Sequence, residues 1–544
     1  MGAANSAGQR WRVLPEPPPG FLDGGPYPSI IRTLLYHRGV GSPAEAEAFL
    51  SPTLANGPLD LPEVDRALGR LKRALAESER IAVFGDFDVD GITSTALLVQ
   101  GLERLGGAVL SYIPHRISEG YGLNESAIAN IRDQGVTLLV AADCGTSSLH
   151  EIAYAHHLGI DVIVLDHHSL PPTPPPALAL LNPKQLPPGD HRQGLATVGL
   201  AYLFMQALYH EMGRDFQPDA YLGLVALGTL ADMAPLLGAN RALVREGLRA
   251  LRHSPCLGLA ALIEAAGLGP GTMDAEAISF CLAPRLNAAG RLSGAHLSLD
   301  LLLTNDPAEA QSLAAQLNRL NRERQRMTRE ALNLAHGLLE KEDPDAPLLF
   351  LGHPEFHLGI VGLVAGRLCE ERYRPTIVYW QGAHESRASG RAIPEFDIVQ
   401  ALRGQASLLL RYGGHRAAAG FTARNETLPT LKKALQAQAE EALTGLDLSP
   451  VLEVDAEVPL RELRGDVIRW LAAFAPAGQE TPEPTFLSRG VKLAEVRPLG
   501  GEGQNLRLKL RDGNIVWPGV AFGLRDRSVQ EGMAVDLVYS FAQD

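Results

Sequence analysis

Cysteine is scarce. Cys144, Cys256, Cys281 and Cys369 are the only four in 544 residues, and no two of them stand in a CxxC spacing. A zinc knuckle and a disulfide framework are thereby excluded, and the usage fits a reducing cytoplasm. No apolar run approaches the roughly 20 residues that span a bilayer, and the opening "MGAANSAGQRW" lacks the apolar middle of a secretory leader. No membrane association is expected, although "MGAANS" fits a loose N-myristoylation pattern of the kind that arises often by chance. Positive charge is in deficit too: 49 Lys and Arg face 62 Asp and Glu, a net charge of −13. Phosphate contacts need Lys and Arg, so this balance argues at first against a nucleic-acid partner. It is an average, however. A site crowded with carboxylates contributes to it, and local basic patches can still hold a strand. Internal repeats are also lacking.

What is present is an ordinary enzyme composition, 46% hydrophobic and 20% charged, in a chain long enough for about two to four domains. Residues 1–60 form a Pro- and Gly-rich N-terminal extension with one helical piece, "PAEAEAFL", after a Ser42 cap. Over 61–305, apolar runs alternate with helical stretches such as "ITSTALLVQGLERLG". The runs "RIAVFGD", "VTLLVAAD" and "IDVIVLD" read as buried strands, and each ends in an aspartate. This alternation predicts an α/β domain with a parallel sheet covered on both faces. The eight prolines of 169–190 predict an extended surface loop. Asp306 as N-cap, Pro307 in the first turn and Glu309 closing a capping box predict a long connector helix over 306–342. Residues 343–450 repeat an α/β pattern on a smaller scale, and 451–544 show the short strands of a β-barrel.

The stretch "GDFDVDG" places Asp86, Asp88 and Asp90 on alternate positions after a strand. Their like charges raise one another's proton affinity unless a cation sits among them. The same spacing opens an EF-hand calcium loop, but the twelfth position, which needs a bidentate Glu, is Leu97, and no helix precedes it. Helix capping alone would account for one or two of the three acids. A second strand ends in "LDHH", with Asp166, His167 and His168, and paired imidazoles beside a carboxylate suit a borderline divalent ion. The pair His156 and His157 in "AHHLG" reads instead as a helix surface. Asp143 in "AADCGT" and Asp232 in "ALGTLADMAPLLGANR" complete a set of acids and imidazoles that can build one site for two metals.

These four blocks, in this order, resemble the motifs of the DHH phosphoesterase superfamily, and within it the RecJ family of single-strand-specific exonucleases. "FCLAPRLNAAGRL" (280–292) resembles a further RecJ motif. "FHLGIVGLVAGRL", "SGR" and "GGHRAAAG" resemble the accompanying DHHA1 domain, and the C-terminal β region stands where that family carries an OB-fold. The departures are Phe356 in place of tryptophan, Phe87 in place of tyrosine, and "PAGQETPEPTF" in place of a glycine-rich turn.

The resemblance implies a binuclear centre of two divalent ions, manganese first and magnesium as a substitute, held by Asp88, Asp90, Asp143, His167 and Asp232 with Asp143 as bridge. Asp86 would ligate or support the ligands, and His168 would contact the scissile phosphate or aid proton transfer. Substrate positioning would fall to His115, Arg116, Arg285, Asn287, Arg291, Ser389, Arg391, Gly413, Gly414 and His415. Glycine-rich backbone admits phosphates closely, and Arg suits bidentate contact. The five arginines of 318–330 would form a solvated helix face or line a strand channel. The expectation is a cytoplasmic 5′-3′ exonuclease that releases mononucleotides from single-stranded DNA in recombination and repair. A single-strand-binding protein and a RecQ-type helicase would be its partners. The alternatives are a nano-RNA or dinucleotide phosphodiesterase of the same superfamily, or a non-catalytic DNA-binding scaffold.

Overall fold

Arg80–Gly85, Ala108–Tyr112, Val136–Ala142, Asp161–Leu165 and Ala179–Leu181 pair as one all-parallel sheet. The computed structural model describes residues 10–54, 59–253, 255–341, 343, 346–499, 505–522 and 529–541. The strand order is 108–112, 80–85, 136–142, 161–165, 179–181. The inner strands are apolar almost throughout because helices cover both faces. On one face Val89–Arg104 packs with Thr197–Glu211 and Asp219–Ala231. On the other, Glu125–Asp133 and Leu149–His157 bury Ile128, Ile131, Ile152 and Ala155 against Phe84, Leu139 and Val164. The chain leaves strand 80–85 toward one edge and returns on its other side. The connections therefore diverge between strands 80–85 and 136–142, where sheets of this order open a ligand crevice at their carboxyl ends.

The proline-rich segment is more than the extended loop expected from its composition. Residues 177–182 contain no proline, so their N–H groups are free to pair, and Ala179–Leu181 forms the buried edge strand of the sheet. The long helix runs Pro307–Leu339, and Asp306 caps it by accepting from the Ala308 N–H at 2.8 Å. Glu309 does not close the reciprocal bond. Its carboxylate takes the Thr304 hydroxyl, and that hydroxyl accepts from the Asp306 N–H. The C-terminal half of the helix buries Ala331, Ala335 and Leu339 against Leu349, Leu351 and Val364 of a second sheet and its helix. That sheet runs 411–415, 418–424, 385–391, 376–381, 349–353, with only the last pair parallel. Phe356 is fully buried in the same cluster, so the aromatic ring at this position serves packing.

The described residues of 56–234 and 243–448, which hold both sheets, form one compact unit. Those of 1–55, 235–242 and 449–544 form another. In the latter, Thr485–Leu499 pairs antiparallel with both Asn505–Asp512 and Ala534–Ser540, and Ile515–Ala521 extends the sheet. Register shifts after Ser488 and Leu493 bend the long strand so that it can serve two neighbours. The N-terminal extension shares this core. Arg10–Val13 pairs with Val451–Val454, and Ile31, Leu34, Leu35 and Phe49 pack with Phe486, Val491 and Leu493. Ser42 caps Pro43–Leu50 through the Glu45 N–H at 3.2 Å.

A tight turn leads from strand 80–85 into helix 89–104. A Cβ on Gly85 would lie 1.9 Å from Thr95 Oγ1, and one on Gly91 would lie 2.6 Å from the Asp86 backbone. Gly91→Ala must therefore shift the backbone of the first aspartate. The expected cost is about 1–3 kcal/mol, read as a lower denaturant midpoint for this unit. An unchanged midpoint would contradict the close approach.

Candidate active site

Register places the acids. Gly85 pairs with Ala142, Ala142 with Leu165 and Leu165 with Leu181, so the residues that follow, Asp86, Asp143, Asp166 and Asn182, lie in a row across the carboxyl end of the sheet. Asp143 takes a left-handed conformation, φ 64°, as it leaves its strand. Asp88 caps helix 89–104 through the Gly91 N–H at 3.1 Å, so capping accounts for one acid of the three. Asp90, in the first turn of that helix, accepts from the Thr197 and Val198 N–H groups at 2.8 and 2.9 Å. Those are the free donors at the start of helix 197–211, which holds an anion. The Thr197 hydroxyl donates to Asp143 Oδ1 at 3.0 Å.

Three overlapping sets bring ligand atoms within 4.8 Å of one another: Asp86, Asp88 and Asp143; Asp90, His167 and Asp232; and Asp143, His167 and His168. His167 Nε2 lies 3.4 Å from Asp143 Oδ1 and 3.7 Å from Asp232 Oδ2. Burial and the neighbouring carboxylates raise Asp86 and Asp143 well above the usual carboxylate range. The same causes bring Asp90 to about 7 and Asp232 to about 8. Burial and the adjacent His168 lower His167 to about 4, which leaves it a neutral donor. Two buried atoms, His167 Nε2 and Asp86 Oδ1, have no hydrogen-bond partner. Mutually repelling carboxyls, neutral imidazole and unpartnered donors pointing inward are a set that divalent cations satisfy.

Asp166 is not in these sets. It accepts from the Thr146, His167 and His168 N–H groups at 3.0, 2.8 and 3.1 Å and pairs with His168 Nδ1 at 2.7 Å. Burial works against its charge, yet these partners hold it at about 2. Asp166 thus fixes the His168 ring and leaves Nε2 directed elsewhere. Tyr121 sits edge-on to that ring and donates to the Asp143 carbonyl at 3.2 Å. Nothing in the sequence pattern marks Tyr121 or Thr197. His156 and His157 are exposed at the end of their helix, as read.

A second cluster is basic. The Arg116 guanidinium lies 4.6 Å from the Phe87 ring centre and within the field of Asp86 and Asp88. Burial, then Arg116, Arg324 and Arg391, pull Arg291 down to about 9. Arg391 donates to Ser389 Oγ at 3.0 Å. Gly362 leaves room for both, since a Cβ there would lie 3.0 Å from Ser389 Oγ and 3.1 Å from Arg391 Nη2. The connector-helix run divides between its two readings: Arg326 forms exposed pairs with Glu323 and Glu330, while half-buried Arg324 joins the arginine cluster.

His415 ends the exposed strand Arg411–His415 and faces His168, ring centres 6.5 Å apart. Gly414 in that strand has φ 140°, and a Cβ there would lie 2.4 Å from the Ala418 carbonyl; Gly413 is open. His115 spends both ring nitrogens inside the protein, on the Ser293 carbonyl and on Ser118, so it ties down the loop that carries Arg116. Arg285 is engaged by the Cys281 carbonyl and Asn318, apart from the arginine cluster, and Asn287 is half-buried in the same helix.

A carboxyl whose folded value is raised favours the fold below its unfolded value and costs stability as pH climbs through the folded value. For Asp232 that window runs from about 4 to about 8. Asp232→Asn removes the cost, so in metal-free buffer its melting temperature should exceed wild type by about 2 °C or more at pH 8, with the gap closing at pH 5. A deficit at pH 8, or a gap independent of pH, would contradict the repulsion.

Residues 80–229 match the DHH family, N-terminal domain, 345–441 the DHHA1 domain, and 454–544 the RecJ OB domain. The single-stranded-DNA-specific exonuclease RecJ of Thermus thermophilus is 38% identical over 92% of this chain and 72% of its own length. Its namesake in Escherichia coli is 34% identical over 91% and 89%. The Bacillus subtilis protein of that name is 35% identical over 89% of this chain, which spans 61% of that longer relative. The crystal structure of Thermus thermophilus RecJ in complex with Mn2+ superposes with a TM-score of 0.83 at 34% identity, covering 99% of this chain and 80% of that one. The corresponding Mg2+ complex gives 0.76 at 33% identity, covering 98% and 78%. The chain belongs to the RecJ family of DHH phosphoesterases.

Proposed function

We propose that this protein is a metal-dependent exonuclease that hydrolyses single-stranded DNA from its 5′ end and releases 5′-mononucleotides. The observation that carries the reading is the adjacency of two opposite clusters in one compact unit. One is the carboxylate and imidazole set; the other is the group of Arg116, Arg291, Arg324 and Arg391 with Ser389, in which the other three guanidiniums depress Arg291. Arg116 belongs to both, since Asp86 and Asp88 act on it directly. A half-buried arginine group is a site for a dianion. A terminal phosphate held there sets the first phosphodiester beside the acids, which makes attack from an end the natural outcome.

The ligands would be Asp88, Asp90, Asp143, His167 and Asp232, with Asp143 between two ions and Asp86 supporting or ligating. Mn2+ is favoured by the mixed oxygen and nitrogen donors, with Mg2+ as substitute. Bound there, the ions supply Lewis acidity toward phosphate oxygens and water. The chain's own residues do the rest. Asp166 orients His168 through Nδ1, and His168 Nε2 can contact the phosphate or carry a proton. His415 closes the opposite side, and the Gly413–Gly414 backbone lets a strand pass close. The smaller unit would guide the strand through its OB-like sheet. The domains then follow the boundaries 61–305, 306–342, 343–450 and 451–544, with 1–60 as extension. A cytoplasmic role in recombination and repair, beside a single-strand-binding protein and a RecQ-type helicase, fits this activity. No helix among the described residues is long and apolar enough to cross a membrane.

The test is digestion of 5′- and 3′-end-labelled oligonucleotides, single- and double-stranded, with Mn2+. The expected result is immediate release of labelled mononucleotide from the 5′-labelled single strand only. Asp143→Ala should abolish it, and Arg391→Ala should lower kcat/KM by about 10²-fold, with the larger loss on 5′-phosphorylated ends. Cleavage of dinucleotides alone would favour the small-substrate phosphodiesterase. Binding without cleavage would favour the scaffold.

A further inference from the structure

Asp143 is the strained member of the acid row. Its φ of 64° is left-handed, a conformation that persists in a non-glycine residue only where its surroundings enforce it. Three bonds do so. The Asp143 N–H donates to the Leu165 carbonyl at 2.9 Å, the Thr197 hydroxyl donates to Asp143 Oδ1 at 3.0 Å, and the Tyr121 hydroxyl donates to the Asp143 carbonyl at 3.2 Å. Among the described residues that carbonyl accepts no other hydrogen bond. The first two bonds fix the nitrogen and the carboxyl. Only the third fixes the peptide that follows, Asp143–Cys144, and with it the turn into Gly145 at φ 106°.

A braced loop delivers Tyr121 to that peptide. The Glu119 carboxylate accepts from the His115 N–H at 2.8 Å and from the Tyr112 hydroxyl at 2.6 Å, and the Glu119 N–H donates back to the His115 carbonyl at 2.9 Å. Gly120 and Gly122, at φ 89° and 83°, turn the chain on either side of Tyr121. The Tyr121 ring packs edge-on to Phe87 and His168, with centres 6.4 and 5.6 Å away. Its hydroxyl also lies 3.2 Å from His168 Nδ1, but that nitrogen already pairs with Asp166 at 2.7 Å. The phenolic proton therefore goes to the Asp143 carbonyl.

We propose that Tyr121 is a positioning residue of the metal centre. Its hydroxyl holds Asp143 in the left-handed conformation that keeps the Asp143 carboxyl within reach of Asp86 and Asp88 on one side and of His167 and His168 on the other. Tyr121 acts through Asp143 and transfers no proton; partners that stand one bond behind a ligand set metal affinity. The inference rests on the metal set described above and not on the direction in which DNA is degraded.

The test titrates Mn2+ by calorimetry, without DNA, into metal-free full-length wild type, Tyr121→Phe and Tyr121→Leu. It also follows cleavage of a 5′-phosphorylated single-stranded oligonucleotide as Mn2+ is varied. Tyr121→Phe removes one oxygen and keeps the ring. It should weaken Mn2+ binding about 10-fold and raise the half-maximal Mn2+ for cleavage by the same factor. At saturating Mn2+ its KM for DNA should match wild type. Tyr121→Leu should weaken the metal at least as much. Wild-type Mn2+ affinity in Tyr121→Phe would overturn the role, and a loss confined to Tyr121→Leu would assign the support to the ring instead. A raised KM with Mn2+ affinity intact would also overturn it, by making Tyr121 a contact to the strand. A wild type that binds no Mn2+ would instead bring down the metal set itself.

Discussion

Repulsion among buried carboxyls is the constraint on which the rest of this structure depends. Asp86, Asp90, Asp143 and Asp232 are each raised by burial and by neighbouring carboxylates, Asp88 among them in every case. No fold gathers such a group for its own stability. The surrounding chain is built to hold it in place. Parallel register aligns the strand ends, two glycines close the turn around Asp86, and the free N–H groups of helix 197–211 grip Asp90. Asp143 sits in a left-handed conformation that a non-glycine residue adopts at a cost, as is common at functional sites.

The net charge of −13 looks different in this light. Part of it is the acid cluster, which cations would neutralise. The positive charge that phosphate contacts need is concentrated locally, in the arginines around Arg291. Strand 385–391 and helix 361–372 supply Arg391, Ser389 and the space around them. Helix 307–339 packs its C-terminal half against the second sheet and contributes Arg324.

Much of this was legible in the chain itself, for a physical reason. Apolar runs that end in aspartate announce strands whose carboxyl ends carry charge, so Asp86, Asp143 and, after Asp166, His167 could be gathered before any coordinates. Asp232 is marked only by its motif, after an apolar run that folds as helix 219–231. Contacts made across the fold could not. Asn182, which donates to the His168 carbonyl, follows an edge strand masked by prolines, and Thr197 contributes mainly its backbone N–H. The N-terminal extension gives no sign that Ile31 and Leu34 pack against Phe486. Glu309 has the spacing of a capping box, but the nearby Thr304 hydroxyl competes for its carboxylate and wins. The arginines of 318–330 look alike in sequence. Helical position alone sends Arg326 to its glutamates and Arg324 to the cluster.

The most direct test of the central claim is calorimetric titration of Mn2+ into metal-free protein at pH 7, in two buffers of different ionisation enthalpy. If crowded carboxyls hold protons until cations replace them, two ions should bind per chain with net proton release. Asp232, raised to about 8, and Asp90, raised to about 7, would be the main sources. Binding of two ions with no proton exchanged, or no binding at all, would contradict the view that this site is a set of acids held together for metal.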